Sequence, residues 1–82
     1  MAYQLTIALF GITRDIVGAS SLTLFIEKST AVDHLLAHLR VQYPRLEGLN
    51  SLLVAINSEY AEGNQVIQEG DEIALIPPVS GG

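Results

Sequence analysis

A change of hydrophobic period along the chain restricts its fold more than any other feature. Tyr3, Leu5, Ile7 and Leu9 alternate with Gln4, Thr6 and Ala8, the period of two expected of a half-buried strand. Leu22, Leu24 and Ile26 repeat that alternation, with Thr23 on the opposite face. Between the two runs, Ile12, Ile16 and Val17 suit one helical turn closed by Gly18. Two alternating runs joined this way predict a β-hairpin with a long connection. The period then lengthens. Val32, Leu35, Leu36, Leu39 and Tyr43 recur at helical spacing until Pro44 ends the run. Thr30, with Asp33 three residues on, has the form of a capping box, so the helix is expected to start at Thr30.

The second half returns to strands. Residues 52–56 are continuously apolar, which predicts a short strand buried on both faces. Asn57-Ser58-Glu59 and Glu69-Gly70-Asp71 read as turns. A final strand over 72–76 would put Ile73 and Leu75 inward. The expected order is β-β-α-β-β, an α+β fold in which one main helix packs on one face of a mixed sheet. With 82 residues, 49% of them hydrophobic and 16% charged, the chain has material for one core. We expect one domain over 1–76 and a flexible tail over 77–82 that begins extended.

Two side chains break the alternation. Phe10 is in phase with the polar face of the first strand, and Ile76 is in phase with Glu72 and Ala74. If the two strands are neighbours, Ala8, Phe10, Ala74 and Ile76 form a flat apolar patch of the kind that binds partners. A bulge that shifts the phase would instead bury both large side chains.

Composition excludes several function classes. The chain has no cysteine, so a disulfide framework, a thiol nucleophile and a cysteine metal site are ruled out. Its formal net charge is −5, and its four basic residues, Arg14, Lys28, Arg40 and Arg45, are scattered. Nucleic-acid binding requires clustered positive charge and is not expected. No run reaches the ~18 apolar residues of a membrane span. Met1-Ala2-Tyr3-Gln4 lacks the basic start of a signal peptide, so we expect a cytoplasmic protein with no membrane partner. His34 and His38 are spaced i, i+4 as a metal pair could be. They fall on the polar side of the helix without a third ligand, and no metal site is expected.

The chain closes with Pro77-Pro78-Val79-Ser80-Gly81-Gly82. Glycine has no Cβ, so a Gly-Gly end can thread a channel too narrow for a branched residue. The prolines stiffen its start, and at ~3.1 Å per residue six extended residues reach about 20 Å. Gly82 is then an unhindered carboxylate on a stalk, suited to activation inside another protein's pocket. The competing reading is an ordinary frayed terminus.

This ending, preceded by Glu69-Gly70-Asp71-Glu72-Ile73-Ala74-Leu75-Ile76, resembles the small subunit of molybdopterin synthase. Leu9-Phe10-Gly11-Ile12-Thr13-Arg14-Asp15-Ile16-Val17-Gly18 is similar to that family's first strand and loop. Val54-Ala55-Ile56-Asn57-Ser58-Glu59-Tyr60 is similar to its third strand and the following turn. The resemblance covers essentially the whole chain and implies a ubiquitin-like β-grasp fold whose first and last strands pair in parallel. It also implies a sulfur carrier. In the family an ATP-dependent, E1-like activating enzyme adenylates the terminal glycine, here Gly82, and a sulfur donor protein converts it to a thiocarboxylate. The tail enters the large synthase subunit and gives its sulfur to a pterin precursor, forming the dithiolene of the molybdenum cofactor in a heterotetrameric complex.

By that resemblance, Gly82 carries the reaction and Gly81 supplies clearance. Pro77, Pro78, Val79 and Ser80 supply reach within the partner's channel. Phe10, Tyr60 and Ile76 match the family's apolar docking patch, with Tyr60 less apolar than the aliphatic residue usual there. Arg14 matches a basic position near the partner surface, or is a solvated loop charge. No cofactor would be held permanently; ATP belongs to the activating enzyme. Catalytic groups would come mainly from the partners. A carrier for thiazole synthesis, tRNA thiolation or amino-acid synthesis, and a ubiquitin-like modifier that acylates lysine through Gly82, are alternatives that share the activated terminus.

Overall fold

The computed structural model describes residues 2–49 and 52–77. β1, Ala2–Leu9, and β2, Ser21–Glu27, pair antiparallel from Ala2↔Glu27 to Ala8↔Ser21. Their connection contains α1, Ile12–Val17, which ends on Gly18 in the left-handed region, where a side chain would be strained. α2, Val32–Gln42, follows, and Pro44 turns the chain into a short 3-10 helix, Pro44–Gly48. β3, Leu53–Ile56, β4, Glu59–Tyr60, and β5, Ile73–Ile76, complete the sheet.

The strand order is β2-β1-β5-β3-β4. β1 and β5 run parallel, with Ile7 opposite Ile73 and Leu9 opposite Leu75. β3 pairs antiparallel with β5, and β4 with β3. This mixed sheet carries α2 on one face. The core is Leu5, Ile7, Leu9, Ile26, Val54, Ile56, Ile73 and Leu75 from the sheet against Val32, Leu35, Leu36 and Leu39 from α2. Leu46 of the 3-10 helix, Leu52 and Ile67 fill its ends. Each such side chain contributes about 1.5–3 kcal/mol by leaving water, and together they set which face of each strand points inward.

Three expectations are corrected. Thr30 does not cap the helix. α2 starts at Val32 after Ala31, without a side-chain cap, and the Thr30 hydroxyl donates instead to the Glu27 carbonyl at 2.6 Å. The free N–H groups of the first turn are met by backbone from a distant loop: Val32 donates to the Gln65 carbonyl and Asp33 to the Gly63 carbonyl, at 3.0 and 2.9 Å. A tertiary contact thus satisfies donors that a local side chain otherwise would.

The second correction concerns the apolar run over 52–56. It is not buried on both sides throughout, since Leu53 is 47% exposed. The third is an additional strand. Asn57 and Ser58 both have positive φ, 52° and 71°, the pattern of a two-residue hairpin turn that folds Glu59–Tyr60 back on β3. The Asn57 side chain ties this hairpin to the start of β5. Its Oδ1 accepts the Glu72 N–H at 2.9 Å and its Nδ2 donates to Asp71 at 3.1 Å.

Candidate functional site

The site follows from the register of the central strands. Ile7 and Leu9 point into the core beside Ile73 and Leu75, so Ala8 and Ala74 must face outward. Ala74 is paired on its other side with Ala55, and Ala55 with Tyr60. Four adjacent strands therefore contribute one row, Ala8, Ala74, Ala55 and Tyr60. The next row places Ile76 opposite Leu53, with Phe10 just past the end of β1. Phe10 is 50% and Tyr60 71% exposed. Small alanines in the centre and large apolar side chains around them make a shallow apolar platform at one end of the sheet.

Phe10 and Ile76 share this outer face, and neither is drawn into the core by a bulge. Tyr60 stands at its far edge, on the edge strand β4. Leu53 belongs to the same platform, and Ala55, on the same side of β3, is buried beneath its large neighbours at 6% exposure, although the sequence did not single them out. Their alternation was hidden inside a continuous apolar run, and only the pairing with β5 shows which member faces out. The other end of the same face is polar, bearing Gln4, Thr6, Ser21, Thr23 and Glu72, with Phe25 isolated near the β2 edge.

Arg14 lies elsewhere. It is carried by α1, exposed, and opens on a depression shared with Gly11, Asp15, Gly18, Ala19 and Ser20. That depression adjoins the foot of the tail, because Gly11 touches Pro77. Pro77 is the first residue beyond β5, so the tail starts where the platform ends. Pro78, Val79, Ser80, Gly81 and Gly82 lie outside the described residues.

Chemistry on side chains is sparse. Among the described residues no group of three His, Cys, Asp or Glu side chains could hold a metal ion, and His34 and His38 are exposed on α2. Tyr3 has a raised pKa, chiefly because it is desolvated and secondly because Asp71 and Glu69 oppose a phenolate. Its hydroxyl donates to the Ile67 carbonyl, a structural bond far from the platform. Thr13 is the one fully buried polar side chain among the described residues. It was also missed from the sequence, where a threonine beside Arg14 and Asp15 in a short helical turn carries no signal of burial. No helix in the described residues is long and apolar enough to cross a membrane.

Comparison with known proteins agrees with this architecture. The chain is 35% identical over 80 residues to the molybdopterin synthase sulfur carrier subunit of Arabidopsis thaliana, covering 96% of this chain and 83% of that one. It is 38% identical over 87 residues to the protein of the same name from Dictyostelium discoideum, covering all of both. Among solved structures it resembles the small archaeal modifier protein 1 from Methanosarcina acetivorans, with a TM-score of 0.75, 28% identity, and 100% and 99% of the two chains covered. It also resembles a chain in the protein–protein complex of subunits 1 and 2 of molybdopterin-converting factor from Helicobacter pylori, with a TM-score of 0.64, 27% identity, and 98% and 100% covered. The β-grasp sheet and the sequence from residue 7 to residue 82 lead to one assignment: the chain belongs to the ThiS family.

Proposed function

We propose that this protein is the sulfur carrier subunit of a molybdopterin synthase. One observation carries the reading: an apolar platform on the outer sheet face runs directly into Pro77, the foot of a tail that closes on Gly-Gly. The docking surface adjoins the foot of the tail that carries the reacting terminus, as a carrier handed between enzymes requires.

The reaction needs no side chain of its own. An ATP-dependent activating enzyme lets a Gly82 carboxylate oxygen attack the α-phosphate of ATP, releasing pyrophosphate and leaving an acyl-adenylate. A sulfur donor then delivers sulfur at the sulfide level to the acyl carbon; the new C–S bond displaces AMP and leaves a terminal thiocarboxylate. Gly81 and Gly82 let the chain pass a narrow channel, and Pro77, Pro78, Val79 and Ser80 give it reach. Inside the large subunit the sulfur attacks a pterin precursor, water cleaves the acyl–sulfur bond and the tail returns as a carboxylate; two such deliveries supply the two sulfurs of the dithiolene. Phe10, Leu53, Tyr60 and Ile76 form the contact with both partners, and Arg14 flanks the entry of the tail. The working assembly is a heterotetramer in the cytoplasm, with one small subunit at each end of a large-subunit dimer.

The test is reconstitution. The protein is incubated with the activating enzyme of a relative, ATP and a sulfur donor, and then with a large subunit and pterin precursor. The expected result is a mass gain of one oxygen-to-sulfur exchange at Gly82, followed by dithiolene formation. A protein that stays at its original mass with enzymes active on their own carrier would refute the reading.

The likeness to a small archaeal modifier protein favours a second reading, in which Gly82 is joined to lysine side chains. Tagged protein recovered from its native cells separates the two. A carrier runs at its own mass on a denaturing gel, whereas a modifier gives a reductant-resistant ladder mapping to Gly82–lysine isopeptides.

A further inference from the structure

Gly11 stands between β1 and α1 with φ 56° and ψ −134°, the mirror image of ordinary extended backbone and a conformation that L side chains avoid. A Cβ at this position would come 3.0 Å from Cγ and 4.0 Å from Cδ of Pro77. The proline ring thus sits on bare backbone. The loop beneath it is locked. Thr13, fully buried, donates its hydroxyl to the Phe10 carbonyl at 2.5 Å and accepts the Phe10 N–H at 3.0 Å. The Gly11 carbonyl accepts the Arg14 N–H at 3.1 Å. Neither Phe10 nor Gly11 can slide without breaking one of these bonds.

We propose that Gly11 is a positioning residue for the tail: it seats the Pro77 ring, is held in place through Thr13, and so sets the direction in which the chain leaves the sheet. The inference rests on the reading of Gly82 as the reacting end. Its force is leverage. For a tail extended in a partner's channel at ~3.1 Å per residue, a tilt of about ten degrees at Pro77 displaces the last glycine by ~3 Å. A misplacement of ~1 Å from near-attack geometry can cost about 100-fold in rate. Docking, by contrast, depends on side chains of the platform that Gly11 does not supply.

The experiment compares wild type, Gly11→Ala, Pro77→Ala and the double variant in ATP-dependent adenylation by the activating enzyme, resolving kcat from KM. Gly11→Ala is expected to lower kcat by at least about tenfold while KM stays within about twofold. Pro77→Ala removes the Cγ that the new methyl would strike, although alanine at position 11 keeps its backbone strain, so the double variant should fall below Pro77→Ala by clearly less than Gly11→Ala falls below wild type. A wild-type kcat for Gly11→Ala, or losses that simply multiply in the double variant, would overturn the proposal. If melting shows that Gly11→Ala does not fold, Thr13→Val and Thr13→Ser decide. The valine should lower kcat and, because it also frees the Phe10 backbone, raise KM, and the serine should restore both; equal rates for all three residues at position 13 would refute the role. A wild-type protein that is never adenylated refutes the carrier reading itself, a result distinct from any of these.

Discussion

Phe10 is half exposed, and its backbone is held at both ends by the Thr13 hydroxyl. An aromatic side chain fixed in this way forfeits little entropy on binding, which suits an interface anchor. Phe10→Asp should therefore weaken binding to the large subunit by at least about 2 kcal/mol, or roughly 30-fold in Kd, because a charge would be desolvated without a partner. Leu53→Asp is expected to act in the same direction, since Leu53 lies on the same platform opposite Ile76. Phe25→Asp is the control. Phe25 is 71% exposed but is separated from the platform by Gln4, Thr6 and Thr23, so its variant should bind as wild type. Calorimetry on the three variants checks this, and equal losses in all of them would show a general charge effect instead of a local interface. Tyr3 is a residue of the opposite kind, committed to the fold. Its folded-state pKa lies above the ordinary 10.0, mainly through desolvation. Stability from its neutral hydroxyl is thus complete below pH 10 and lost as pH rises through the folded value. Tyr3→Phe should flatten that alkaline fall in a series of urea melts, leaving the curve at neutral pH parallel to wild type.

At the scale of elements, the β3–β4 hairpin shows how a two-residue strand survives. Asn57 and Ser58 take the positive φ values that a tight turn demands, and Asn57 then binds the first residues of β5 with its side chain. Asparagine tolerates this region better than serine does. Opposite effects are therefore expected at adjacent positions. Asn57→Ala should destabilise the protein by about 1–2 kcal/mol through two lost hydrogen bonds and a strained φ. Ser58→Gly should stabilise it by up to about 1 kcal/mol, because glycine adopts the turn without strain. Chemical denaturation measures both, and the same sign for both would show that the turn is not limiting. α2 illustrates a parallel point. Its first turn is capped by carbonyls of Gly63 and Gln65, so the helix start and the long loop before β5 stand or fall together.

For the whole molecule, the division of labour is spatial. Among the described residues the buried core runs from Leu5 to Leu75, whereas the proposed chemistry is confined to Gly82. Deleting residues 78–82 should leave the melting temperature within a few degrees of wild type, a shift corresponding to less than about 1 kcal/mol. The same deletion should abolish thiocarboxylate formation completely, read as intact mass. A truncated protein that still takes up sulfur would remove the tail from the mechanism. With a net charge of −5, which opposes self-association, the isolated chain is expected to elute as a monomer.

Sequence alone determined what depends on near neighbours. The two alternating runs, the helical stripe ending at Pro44 and the inward set Ile73 and Leu75 are properties of local period, and each fixed an element and its buried face. The closing motif Pro77-Pro78-Val79-Ser80-Gly81-Gly82 carried the family likeness without any coordinates, because its meaning is chemical and not conformational. Other features waited on contacts between distant segments. Leu53 faces outward because β3 pairs with β5, a register that an unbroken apolar run cannot reveal. The start of α2 lies at Val32 because the loop at Gly63 and Gln65 supplies the missing acceptors. Gly11 became more than a loop glycine only when parallel pairing of β1 and β5 brought Pro77 against it. Period and motif are written along the chain, but pairing partners are chosen by the core as a whole, and only the tertiary structure records that choice.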